Sequence, residues 1–246
     1  MFDHISVRVT DRAATEAFFE TVLAPLGVDT TYRTNAVTSW ANFLVSAASD
    51  EHPVTTGLHI AFVAPSREQV DAFWQAGIDA GHPDAGAPGP RPKYREDYYG
   101  AFLRDPDGNS VEAVHTGSVA REGIVDHLWL RVDDLAAATA FYRLIAPAAG
   151  LTLRHEDPQR SSFAVGRAGG SFSLVPGPPT ANLHIAFSGR DEDVQRFYTD
   201  ALAAGYRGNG EPGERRRYHP GYYAAFVLDP DGTNVEVVDH HRGATA

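Results

Sequence analysis

Six residues carry the chemistry that this sequence could perform. His4, His59 and Glu112 in the first half recur as His127, His184 and Glu236 in the second, at offsets of 123, 125 and 124 positions. The other histidines do not repeat: at that spacing His115 meets Asp239, His82 meets Tyr206 and His219 meets Arg95. Two imidazoles and one carboxylate on a common face make a facial triad, which holds an octahedral ion by three positions and leaves the others for substrate or water. The donor set suits Fe(II), Mn(II), Ni(II) or Zn(II). A closed structural zinc site needs a fourth protein ligand, and the sequence offers no obvious one. A lone strand histidine more often satisfies a local hydrogen bond; what singles out these six is that all three positions recur together.

Strands must position them. Asp3–Val9 alternates, with Ile5, Val7 and Val9 on one face and His4, Ser6 and Arg8 on the other; Asp126–Val132 does the same with Leu128, Leu130 and Val132 against His127, Trp129 and Arg131. Leu58-His-Ile-Ala-Phe62 and Leu183-His-Ile-Ala-Phe187 turn their histidines away from the apolar residues. Glu112 and Glu236 each follow an Asp-Pro-Asp-Gly turn, at Asp105–Gly108 and Asp229–Gly232, so each carboxylate sits on the second strand of a β-hairpin, opposite its valine neighbours.

Around these strands the halves share one plan. Asp11 and Asp134 begin helices carrying Ala14, Ala17 and Phe18, or Ala137, Ala140 and Phe141. Short strands follow near 28–34 and 37–46, and near 151–156, 161–166 and 171–175. Ser66 with Gln69 opens a second helix, whose stripe is Val70, Phe73, Trp74 and Ile78; Val194, Phe197, Tyr198, Ala201 and Leu202 form its twin. Gly86–Pro92 and Gly208–Gly213 read as Gly/Pro-rich loops. The fold class is α+β, with residues 1–117 and 124–246 as two domains, 118–123 as their linker, and two βαβββ modules in each.

Composition excludes several classes. The 246 residues hold no cysteine, so disulfides, zinc-thiolate sites and thiol nucleophiles are absent. A formal net charge of −11 has the wrong sign for nucleic acid, and Arg215-Arg-Arg217 is too short to reverse it. No basic leader precedes an apolar segment and no run is long enough to span a membrane, so a cytoplasmic protein without membrane partners is expected.

Asp-His near the start, Leu-His-Ile-Ala-Phe in the middle and Asp-Pro-Asp-Gly-Asn/Thr-x-Val-Glu near the end resemble the vicinal oxygen chelate superfamily, over the whole chain as two tandem domains. That superfamily includes glyoxalase I, extradiol dioxygenases, fosfomycin-resistance transferases and bleomycin-binding proteins. The resemblance implies cupped mixed sheets with helices on the outer face, around a divalent ion held by His4, His59, Glu112, His127, His184 and Glu236. His4 meets either His59 and Glu112 or, if modules are exchanged, His184 and Glu236. Departures bear on the reaction. Glyoxalase I adds a carboxylate that neither 43–48 nor 171–175 supplies, and the hairpin tyrosine of extradiol dioxygenases is replaced by Phe102 and Phe226. His219 matches the dioxygenase acid/base histidine, and Arg8, Arg131 or Tyr218 match anion contacts of the transferases.

The function expected is that of a divalent-metal-dependent enzyme, dioxygenase- or glyoxalase-like, acting on a small oxygen-chelating substrate, with His219 and Tyr218 as catalytic residues and a monomer or homodimer as the assembly. The alternative is a non-catalytic drug-binding protein of the bleomycin-resistance type. Trp129 should border the cavity, whereas Trp40, Tyr98, Tyr99, Tyr222 and Tyr223 are expected mainly to pack, and His240-His241 to face solvent.

Overall fold

A computed structural model of the chain describes residues 2–117, 123–166 and 170–241; of the expected linker, 118–122 lie outside them. The first module runs β1 (Phe2–Val9), α1 (Arg12–Leu23), β2 (Tyr32–Arg33), β3 (Val37–Trp40) and β4 (Phe43–Ala47). The second runs β5 (His59–Val63), α2 (Arg67–Asp79), β6 (Asp84–Pro90), β7 (Tyr99–Arg104) and β8 (Ser110–His115). The third contains β9 (Val125–Val132), α3 (Leu135–Ala149), β10 (Leu151–Asp157), β11 (Arg160–Val165) and β12 (Ser171–Pro176). The fourth contains β13 (His184–Ser188), α4 (Asp191–Ala203), β14 (Gly208–Glu214), β15 (Tyr223–Leu228) and β16 (Asn234–Asp239).

These strands form two mixed sheets, and each takes one module from either half of the chain. One has the order β14-β15-β16-β13-β1-β4-β3-β2, the other β10-β11-β12-β9-β5-β8-β7-β6. Their central pairs are antiparallel, β1 with β13 through Ile5 opposite Ile185, and β5 with β9 through Ile60 opposite Leu128. Apolar alternate residues on each strand leave water on the helix-covered face: Ile5, Val7, Val9, Leu128, Leu130 and Val132 are buried. One hydrophobic core spans both sheets, with Phe43 of β4 packed edge-on to Phe62 of β5 at 5.3 Å between ring centroids. The polar faces are thereby left to line the cups.

Two segments read as loops are strands. Residues 84–90 and 208–214 form the edges of the sheets as β6 and β14, each with two register shifts against its neighbour. Their glycines and prolines hide them, because proline is tolerated only where no partner needs its missing N–H, as on an edge. Gly86 at φ 154° and Gly210 at φ 159° lie over Phe102 and Phe226, whose rings would come within 2.9 and 2.8 Å of an added Cβ. The run expected at 37–46 is also two strands, turned at Ala41, whose φ of 48° gave no signal because the residue is not glycine.

Candidate metal centres

Register brings the six residues together as two separate groups. Ala61 of β5 pairs with Glu112 of β8 on one side and His127 of β9 on the other, and His59 follows two residues back on the same face. In the other sheet Ala186 of β13 lies between Glu236 and His4, with His184 on its face. The alanines hold the centre of each row open. His59, Glu112 and His127 thus form site I, and His4, His184 and Glu236 form site II; in each group the potential ligand atoms lie within 4.8 Å of one another. Of the two assemblies the sequence left open, the geometry is that of exchanged modules.

The residues fit a divalent ion. Glu112 Oε2 lies 3.1 Å from His59 Nε2 and 3.6 Å from His127 Nε2; Glu236 Oε2 lies 2.9 Å from His184 Nε2 and 3.7 Å from His4 Nε2. Ligands about 2.1 Å from a common ion stand about 3.0–3.4 Å apart in octahedral or tetrahedral geometry. The far nitrogen of every ring is engaged: His127 Nδ1 with Asp126 and His4 Nδ1 with Asp3, both at 2.8 Å, His59 Nδ1 with Ser110 Oγ at 2.9 Å, and His184 Nδ1 with the Asn234 amide at 2.6 Å. A Nδ1–H donated to an aspartate leaves the Nε2 lone pair of His4 and His127 aimed at a carboxylate, an arrangement a cation between them stabilises. Burial pushes the imidazoles of His59 and His184 below their ordinary value, with the neighbouring glutamate only partly opposing it, which favours the neutral form that ligates.

Each glutamate is 1% exposed and has its second oxygen held by a tyrosine, Tyr98 Oη donating to Glu112 Oε1 at 2.6 Å and Tyr222 Oη to Glu236 Oε1 at 2.7 Å. Burial, reinforced by the adjacent negative charge, raises both phenols well above their usual range, so they remain donors. These tyrosines were expected mainly to pack. The signal that finds them is period two: Tyr98, Gly100 and Phe102 share the face of Glu112, to which Phe102 is directly paired. Neither group contains a fourth histidine or carboxylate among the described residues.

Outside the ligands the sites differ. At site II, His219 Nε2 lies 2.9 Å from His240 Nδ1, and His240 Nε2 lies 2.9 Å from Asp3, which holds His4. The expectation that His240 faces solvent is corrected: its side chain is 34% exposed and bonded at both nitrogens, while His241 is exposed. The hydrogen bond to Asp3 raises the His240 imidazole above its ordinary value; hydrogen bonds from His240 and His4 hold Asp3 well below the usual carboxylate range despite its burial. Tyr218 is 54% exposed at the rim, its ring 4.9 Å from that of Tyr222, and its hydroxyl accepts from Arg217. Site I opens into a cavity of about 790 Å³ bordered by Trp129, as the face it shares with His127 required, and by Tyr94, Tyr98 and Phe102.

Comparison with known proteins agrees with this architecture. A metallothiol transferase FosB of Shouchella clausii (strain KSM-K16) is 28% identical over 127 residues, half of this chain and 82% of the transferase. Glyoxalase I of Zea mays superposes with a TM-score of 0.70 at 20% identity, covering 97% of this chain and 92% of that one. A candidate dioxygenase of Bacillus subtilis subsp. subtilis str. 168 gives 0.64 at 16% identity, over 96% and 84%. Among the described residues no helix is long and apolar enough to cross a membrane. The profile of one family matches twice in tandem, over residues 1–113 and 124–237, each stretch carrying two of the four modules, and on that match the chain belongs to the Glyoxalase/Bleomycin resistance protein/Dioxygenase superfamily.

Proposed function

We propose that the chain is a divalent-metal-dependent enzyme, dioxygenase- or glyoxalase-like, that acts on a small substrate offering two oxygens to the ion. The observation that carries this reading is the pair of two-histidine, one-glutamate groups, each converging on a point and leaving coordination positions free. A divalent ion held there supplies Lewis acidity to the two substrate oxygens. The protein's part is orientation and proton handling. Tyr98 and Tyr222 fix the carboxylates, Asp126 and Asp3 fix the rings of His127 and His4, and Trp129 with Phe102 shapes the cavity of site I. At site II His219 is the proton-transfer residue, in contact with His240 and through it with Asp3, and Tyr218 closes the rim.

The test is metal content by mass spectrometry on tag-free protein purified without chelator, for the parent and for Glu112→Ala and Glu236→Ala. Two ions per chain, one lost in each variant, is the expected result, and each loss should remove turnover at that site in a screen of diols and α-ketoaldehydes. No stoichiometric ion after reconstitution with Fe(II), Mn(II), Ni(II) and Zn(II) would sink the metalloenzyme. Ligand binding indifferent to Glu236→Ala and without turnover would leave a sequestration protein of the bleomycin-resistance type.

A further inference from the structure

We propose that site I takes an anionic small molecule, one end offering a chelating oxygen pair and the other a phosphate, phosphonate or carboxylate held by the cavity walls. The chelating end rests on the metalloenzyme reading; the anionic end rests on the cavity alone. Across the chain, acidic residues outnumber basic ones by 32 to 21. The cavity reverses that balance, with Lys93, Arg95, Arg104, Arg131, Arg154 and Arg160 against Glu112 and Asp126. Clustered cations in a cleft focus a positive potential and draw anions into it, and guanidinium forks match oxyanions in geometry.

The cations come from two walls. Lys93, Arg95 and Arg104 belong to β7 and the turn before it; Arg131, Arg154 and Arg160 belong to β9, β10 and β11. Local contacts engage part of the set: Arg104 Nη1 donates to the Gly108 carbonyl at 3.2 Å, and the Lys93 ammonium lies 4.8 Å from the centre of the Tyr94 ring. Arg95 pairs with Asp97, but among the described residues no carboxylate forms an ion pair with Lys93, Arg104, Arg131, Arg154 or Arg160.

Duplication supplies an internal control. Site II has the same triad, the same buried tyrosine and the same turn. Yet at the positions of Lys93, Arg95 and Arg104 it carries Arg217, His219 and Leu228, and strand register places Arg8 and Val37 at those of Arg131 and Arg160. Arg217 and Arg8 keep a cation at two of these positions, whereas Leu228 and Val37 remove the guanidiniums of Arg104 and Arg160, so neither of those two is a requirement of the module or of the triad. They distinguish site I, whose cavity of about 790 Å³ has the volume of a small-molecule pocket.

Calorimetric titration of the full chain tests this, in a Glu236→Ala background so that only site I is loaded, with Mn(II) as the ion. Phosphonopyruvate has the chelating pair and a remote anion; pyruvate has the pair alone. Phosphonopyruvate is expected to bind at least about tenfold more tightly. That gap should shrink with added salt and close in Arg131→Gln/Arg160→Gln, while the ion remains bound. Lys93→Gln/Arg104→Gln reads the opposite wall independently of any folding defect in the first variant. On metal-free protein inorganic phosphate should bind weakly and lose that binding in the same variants, so this arm stands even where no ion binds and the metalloenzyme reading has failed. Equal affinity for phosphonopyruvate and pyruvate, or a gap unmoved by both double variants, overturns the proposal.

Discussion

At the scale of the residue, the glutamates show how much of a candidate metal centre lies beyond the atoms that would ligate. A buried carboxylate has four lone-pair sites, and where one oxygen faces the histidines the other needs a donor or it costs desolvation. Tyr98 and Tyr222 are those donors. Tyr98→Phe and Tyr222→Phe are each expected to weaken metal binding about 10- to 100-fold at the site concerned and leave the other unchanged, as read by competition with a chelating dye. The two candidate groups were legible in the sequence as a pattern, because three polar positions recur on otherwise apolar strands and register brings them together. The tyrosines were not, because the adjacent Tyr98 and Tyr99 look alike in sequence and part company in space, Tyr99 turning its hydroxyl to Asp71 on α2. His240 was hidden for another reason. Its partners Asp3 and His219 are 237 and 21 positions away, and no local pattern reports such a contact.

At the scale of the element, the hairpin turns do more than reverse the chain. The Oδ1 of Asp105 accepts from the backbone of Asp107 and Asn109, and that of Asp229 from Asp231 and Thr233, which sets the register that delivers each glutamate. Burial raises the Asp229 carboxyl to about 6 from an ordinary 3.8, with those hydrogen bonds opposing. The sign follows from linkage. A folded value above the unfolded one means that the native state holds the proton more tightly, so this group's contribution is most favourable below about pH 4 and declines as pH rises through about 6. Asp229→Asn keeps the Oδ1 acceptor and removes the buried charge. It should gain on the order of 1–3 kcal/mol over the parent at pH 7–8, with the difference vanishing by about pH 4 in denaturant melts run as a pH series. The two turns and the starts of α1, α2 and α3 were readable because Asp-Pro-Asp-Gly, Asp11, Ser66 and Asp134 state their local chemistry: Asp11 and Asp134 accept from Ala14 N and Ala137 N at 3.0 Å, and Ser66 Oγ from Gln69 N at 3.3 Å. The helix stripe was less so: α1 buries Thr15, Phe18, Phe19, Val22 and Leu23, whereas Ala14 and Ala17 are exposed. Alanine favours a helix without marking its buried side.

At the scale of the molecule, the choice between closing modules within a half and exchanging them could not be made from the residues, since both assemblies use the same ones. Chain path makes it. The segment between the first two modules meets the segment between the last two, where Thr56 bridges Ala181, Thr55 Oγ1 donates to the Asn182 carbonyl at 2.9 Å and Thr180 Oγ1 to that of Gly57 at 3.1 Å. Gly57 and Asn182, at φ 73° and 57°, occupy the same left-handed step of the repeat, which glycine and asparagine tolerate best. Residues 1–117 alone would leave β1 without β13, β5 without β9, and the buried apolar faces of both strands bare. Because the second and fourth modules are repeats of each other, two copies of this half can restore both sheets, with His4 of one meeting His59 and Glu112 of the other. The expected outcome is a dimer in light scattering at micromolar concentration, binding one ion per chain and dissociating only as it unfolds. A folded monomer that still binds one ion would show that a half can close on itself, and the exchange would then be a consequence of the linkers rather than of the modules' own surfaces.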